Sequence, residues 1–217
     1  MTTPAVPYRS DSEIEREATQ LLAAYGREHG PVVEPPVPVD DLLELHLRLT
    51  FEIRDLRGEL GVPEAHGAIW VRERRIAVDR HLDPDVYPAM RGRFRFTVAH
   101  EVGHWQLHRH HFAAPTSSFP DFVGLTRRGR AEFQADRFAA GLLMPLPLLR
   151  VAWEELFGCR AVFVGRVLPG RARPGPADDE LREVAYPLAE LFEVSPSAMR
   201  FRLAECGLVT RPRGVPA

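Results

Sequence analysis

Five of the nine histidines fall between positions 100 and 111, and the run His100-Glu101-Val102-Gly103-His104 spells H-E-x-x-H. On a helix, residues four apart stand one turn apart on the same face, so both imidazoles can grip one metal ion while Glu101 projects beside them. Zinc suits such donors in a tetrahedral site that keeps one position open to water, and Glu101 can then take that water's proton. The spacing therefore predicts metal-assisted hydrolysis, with one Zn²⁺ per chain, His100 and His104 as ligands and Glu101 as the catalytic base.

A catalytic zinc needs a third protein ligand, and a five-residue motif does not supply it. On an unbroken helix His108 lies about 12 Å along the axis from His100, too far to share one ion, so it is expected to be a packed or hydrogen-bonded histidine. Leu107 stands where an extended metalloprotease signature would place a glycine three residues after the second histidine. The better candidate lies in Glu132-Phe133-Gln134-Ala135-Asp136. Glu132 and Asp136 are again one turn apart, so Glu132 can reach the metal while Asp136 accepts the other ring N–H of a ligand histidine. The competing reading makes both residues solvated helix charges, with Glu132 paired to Arg128 or Arg137.

Elements must hold these groups in place. Apolar spacing predicts a helix over 11–29, with Ser10 and Glu13 as a capping box and Gly30 as its stop. A proline-rich extended stretch, 31–38, leads to a short helix over 40–47. Strands are expected at 50–56, 67–72 and 75–80, the last two forming a hairpin about Glu73 and Arg74, and such short connections imply a small antiparallel sheet. Helices follow at 91–109, 128–143 and 148–157, the second stopped by Pro145. An extended substrate is most simply presented as an added strand. One strand of the hairpin is therefore expected to be a sheet edge beside the His100 helix, with Trp70, Arg72 and Arg74 as substrate-binding residues.

With both motifs in view, Phe96-Thr97-Val98-Ala99-His100-Glu101-Val102-Gly103-His104 and Glu132 to Pro145 resemble the ImmA/IrrE metallopeptidase family. The likeness extends to Val39-Asp40-Asp41-Leu42, to Leu188 through Ser195 and to Ala198 through Leu203, covering about residues 12 to 209. It implies an α+β zincin-like domain, a helix-turn-helix-like C-terminal part, and cleavage of repressor proteins that releases stress or mobile-element genes. The family's ligand pattern falls on His100, His104 and Glu132. Gln134 and Asp136 stand where Glu and Asn are common, which leaves Glu132 in place and makes Asp136 the stronger acceptor.

Composition narrows the alternatives. All 28 basic residues are arginine, so a phosphate-binding loop lysine, a Schiff-base lysine and the kinase lysine are excluded. A net charge of -2 gives no global reason to bind nucleic acid. The runner-up reading is a DNA-binding regulator that presents Arg200 and Arg202 on a recognition helix, with the metal site as a sensor; five glutamates in the same stretch argue against it. Cys159 and Cys206 lack metal-site spacing and read as reduced thiols. No apolar run approaches the roughly 18 residues of a membrane span, and 1–9 lacks the pattern of a secretory signal, so a cytoplasmic protein with a protein substrate and no membrane partner is expected. The expected layout is a flexible N-terminus over 1–11, the metallopeptidase domain over 12–168, a loop or linker over 169–178, a helical element over 179–209 and a flexible end over 210–217.

Overall fold

In the computed structural model the residues described are 6–111, 120–123, 129–158, 162–163 and 177–210. They fall into two compact units, Met1–Val33 with Val37–Leu143, and Glu34–Pro36 with Met144–Ala217. Most of the expected loop over 169–178, the flexible end beyond 210 and Cys159 lie outside the described residues.

The first unit opens with α1, Asp11–His29, whose bounds are those read from the sequence. Ser10 and Glu13 close the capping box, and Gly30 ends the helix with φ 100°, a conformation that favours glycine. In the segment expected to be loose, Val6 is buried, and Arg130 donates to its carbonyl oxygen at 3.2 Å. A single turn, α2 (Val39–Asp41), runs into a π turn, Leu42–His46, that buries Leu42 and Leu43. Then come β1 (Thr50–Arg54), α3 (Leu56–Leu60), β2 (Gly67–Trp70) and β3 (Arg75–Asp79). β1 is thus shorter than the strand expected over 50–56, and α3, which was not expected, begins at Leu56. There Asp55 caps the chain by accepting the Gly58 N–H, and Gly61 stops it at φ 64°.

The sheet corrects two expectations. Its order is β1-β3-β2-β4, where β4 is Phe122–Val123, and β1 runs parallel to β3, so the sheet is mixed rather than antiparallel. The hairpin itself is antiparallel as expected. Neither of its strands is an edge: β3 lies between β1 and β2, and β2 lies between β3 and β4. The chain returns after the H-E-x-x-H helix to add β4, held by Asp121, which accepts the Val71 N–H and donates its own N–H to the Ile69 carbonyl. Among the described residues, β1 and β4 are the strands at the sheet's edges. Trp70 sits in the core with Leu56, Ala65, Ala68 and Ala77.

Two helices complete the unit. The long α4, Arg91–His108, buries Phe94, Val98, Val102 and Trp105 on a helical repeat, and α5, Arg130–Leu143, buries Ala131, Ala135, Phe138 and Leu142. They approach closely at Gly103, where an added Cβ would stand 3.1 Å from the Ala135 backbone and 3.2 Å from the Phe138 ring. The glycine inside the motif thus brings the two helices near enough to share a site.

Asp79 ties the sheet to the turn that precedes α4. Its fully buried carboxylate accepts the Arg57 and His81 backbone N–H groups at 3.2 and 3.1 Å and faces His81 Nδ1 at 2.8 Å. Burial pushes the carboxyl up, but these bonds outweigh it and hold it below its ordinary 3.8. The stabilisation is therefore present at neutral pH and fades as acid protonates the folded carboxylate below that value. Asp79→Ala should cost about 2–3 kcal/mol at pH 7, and in urea titrations the gap between variant and wild type should narrow on going to pH 3. A gap that does not change with pH would remove Asp79 from this role.

In the second unit α6 (Leu146–Phe157) begins two residues earlier than expected, with Pro145 as its N-cap, and Gly158 ends it at φ 62°. A two-stranded parallel ribbon pairs β5 (Val162–Phe163) with β6 (Val209–Thr210). Two helices, α7 (Ala177–Leu191) and α8 (Pro196–Glu205), pack against each other, with Ser195 capping α8 through the Ala198 N–H. Arg202, a candidate phosphate reader, is buried instead and donates to the Met144 carbonyl at 3.0 Å. Cys206 is partly buried at the end of α8. No helix among the described residues is long and apolar enough to cross a membrane.

Candidate metal centre

α4 sends His100, Glu101 and His104 toward α5, and α5 answers with Glu132 and Asp136. One nitrogen from each histidine and one oxygen of Glu132 lie within 4.8 Å of one another. The two Nε2 atoms are 3.0 Å apart, Glu132 Oε2 is 3.1 Å from His100 Nε2, and Glu132 Oε1 is 3.4 Å from His104 Nε2. Asp136 Oδ1 accepts the His100 Nδ1–H at 2.8 Å. Arg137, one of the arginines that could have held Glu132, pairs with Asp11 instead; Arg128 lies outside the described residues.

His108 contributes differently from a ligand. Its Nδ1 meets His104 Nδ1 at 3.1 Å, its Nε2 meets Gln134 Oε1 at 2.9 Å, and Gln134 Nε2 donates to the Pro7 carbonyl at 3.0 Å. Proton positions follow from the far end. A carbonyl only accepts, so the Gln134 amide nitrogen must face Pro7 and its oxygen must accept from His108 Nε2–H. Burial lowers both His104 and His108 to about 4, so each is neutral at pH 7 with a single N–H. His108 Nδ1 is then an acceptor, His104 donates to it from Nδ1, and the lone pair of His104 Nε2 points at Glu132 and His100.

That direction tests whether a cation fits. With the His104 proton on Nδ1, its Nε2 and Glu132 Oε1 face each other as two acceptors with no proton between them. Burial would lower His100, but the bonds to Asp136 and Glu132 raise it to about 10. Burial likewise pushes Glu132 up, yet the hydrogen bond it accepts from His100 holds it at about 2. The bonds to Asp136 and Glu132 thus favour a proton on His100, and its Nε2 lies where the three donors converge. A divalent cation of borderline softness matches two imidazoles and a carboxylate and can replace that proton.

Glu101 stands beside this set, fully buried, and neither of its carboxylate oxygens has a hydrogen-bond partner among the described residues. Burial raises its carboxyl to about 8. A buried, unpaired carboxylate is costly unless something else meets it. Gly67, the first residue of β2, makes room: a Cβ there would lie 2.5 Å from Glu101 Oε1 and 2.7 Å from Thr97 Cγ2. Sequence reasoning missed Gly67 and the chain from Pro7 through Gln134 to His108. The only trace of the latter in the sequence is that His100, His104 and His108 repeat every four residues.

Trp70, Arg72 and Arg74, the residues expected to bind substrate, lie on the β2–β3 hairpin. The Arg75 guanidinium lies over the buried Trp70 ring at 3.9 Å. Arg74 lies over Trp105 at 5.0 Å and donates to the Leu47 carbonyl. Arg72 is exposed at the hairpin turn.

Because His108 and Gln134 fix the His104 proton from a distance, breaking their chain should reach the metal. Gln134→Leu is expected to weaken zinc affinity about 10- to 100-fold, measured by chelator competition, with the fold intact by circular dichroism. Unchanged affinity would reduce the chain to packing.

Residues 64–204 match a protein-family model described as Peptidase_M78, IrrE N-terminal-like domain. No curated protein matches the chain.

Proposed function

The chain belongs to the ImmA/IrrE family of metallopeptidases, and from that premise we propose that it is a zinc-dependent endopeptidase that cuts a transcriptional repressor in the cytoplasm and so relieves repression in a stress or mobile-element response. One Zn²⁺ per chain would sit between His100 Nε2, His104 Nε2 and a Glu132 oxygen. The observation that carries this reading is the buried carboxylate of Glu101, unpartnered next to three converging donors. Such a group is retained where it acts on something brought to it.

Zinc bound there would acidify a water, polarise the scissile carbonyl and, by its charge, favour the ionised form of Glu101. Glu101 takes a proton from the attacking water as the new C–O bond forms. It then delivers that proton to the peptide nitrogen as the C–N bond breaks, so the carboxylate returns to its starting state. Asp136 holds the His100 ring through Nδ1, and His108 holds the His104 ring through Nδ1, so both Nε2 atoms stay turned inward. Gly67 leaves the space in which the Glu101 carboxylate moves its proton.

The test is to incubate the zinc-loaded protein with the repressor encoded nearest to its gene and analyse the products by mass spectrometry. One internal cut giving two fragments that sum to the whole supports the proposal. Trimming from an end, or an intact repressor, overturns the endopeptidase or repressor reading.

A further inference from the structure

A second group of metal-ligating side chains lies outside the centre described above. Glu28 and His29 end α1, and His46 ends the π turn, so residues 18 apart in sequence meet at the unit's surface. His46 Nδ1 is 2.9 Å from Glu28 Oε2, His29 Nε2 is 3.7 Å from the same oxygen, and all three donors lie within 4.8 Å of one another. Zinc–nitrogen and zinc–oxygen bonds of about 2.0–2.1 Å in a tetrahedron put neighbouring ligand atoms roughly 3.3–3.4 Å apart. The two measured separations bracket that spacing, so small side-chain rotations would close the set on one ion.

The rings also pack against one another. Tyr25, itself buried, stacks on His29 with centroids 4.8 Å apart and meets His46 edge-on at 6.2 Å. The imidazoles of His29 and His46 are inclined at 89° to each other. A shared aromatic wall that fixes both rings lowers the entropy lost when they converge on a ligand. Turns closed by i→i+5 bonds are rare and occur frequently at functional sites. Here one such bond, Leu47 N–H to the Leu42 carbonyl, ends the turn that presents His46.

We propose that Glu28, His29 and His46 form a second, accessory metal site that takes Zn²⁺ or a cation of similar softness and fastens the end of α1 to the π turn. Two imidazoles and one carboxylate favour such ions over magnesium or calcium, which prefer all-oxygen sites. The half-exposed position leaves the fourth coordination place to water and makes the site accessible to exchange. This inference does not depend on hydrolysis at His100.

The full-length protein is titrated with Zn²⁺ by equilibrium dialysis and its metal content measured. Wild type should bind two equivalents, and His29→Ala with His46→Ala should bind one. In the other arm, His100→Ala with His104→Ala should lose the first equivalent and keep the second, which separates a failure here from a failure at the main centre. His46→Ala alone should weaken the second equivalent by more than the roughly 100-fold that loss of a supporting group costs, because only one imidazole and a carboxylate remain. A wild type that saturates at one equivalent, or a second equivalent that survives the His29 and His46 replacements, overturns the proposal.

Discussion

Replacing Glu101 with Gln should lower peptide hydrolysis by about 10²- to 10⁴-fold, the share that a positioned general base supplies, and leave zinc content unchanged. The amide matches the carboxylate in size, so Gly67 still accommodates it, and none of the three converging donors is touched. What disappears is the atom that holds the proton between the attack of water and the departure of the amine. The variant should stay close to wild type in stability, because an amide of the same shape replaces the carboxyl group and no hydrogen bond to the described residues is broken. Lost activity with full zinc occupancy and a nearly unchanged melting temperature is the combined signature. Activity within a few-fold of wild type would take Glu101 out of the chemistry.

Replacing Glu132 with Ala should strip the centre of metal. Only two imidazoles would remain, and the loss should far exceed the roughly 10- to 100-fold weakening expected from Asp136→Ala, which removes only the group behind His100. The two variants together separate a ligand from its support. Asp136 is more than half exposed and touches His100 at Nδ1, whereas Glu132 is largely buried and faces both Nε2 atoms. If Glu132→Ala kept full zinc occupancy in dialysis against a weak chelator, the third ligand would lie elsewhere.

How much of this could be read without coordinates depended on how local the signal was. The bounds of α1 follow from Ser10, Glu13 and Gly30, all within one turn of the helix ends, and the i, i+4 spacings of His100 and His104 and of Glu132 and Asp136 are helix geometry written in sequence. That α4 and α5 face each other was inferred from chemistry, since two histidines lack a third partner. The mixed sheet was hidden because β1 pairs in parallel with β3 across the intervening α3 and β2, a non-local pairing that no alternation shows, and β4, which removes β2 from the edge, is only two residues long. In the sequence Trp70 reads as a large aromatic near arginines, and its burial beside Leu56 of α3 depends on packing that no local pattern carries. The link from residue 7 to residue 134 to residue 108 has no periodicity at all. Gln134 stood out only as a departure from a pattern.

The Pro7 carbonyl has a practical reach beyond its own hydrogen bond. It lies just ahead of the α1 cap and far in sequence from both motifs, yet it orients Gln134 and through it the ring of a metal-facing histidine. A preparation shortened past residue 7, or strained there by a fusion partner, would keep every residue of the H-E-x-x-H motif and still release His104 to its other tautomer. Two laboratories working with differently tagged proteins could then measure different zinc affinities and both be right about the sample in hand.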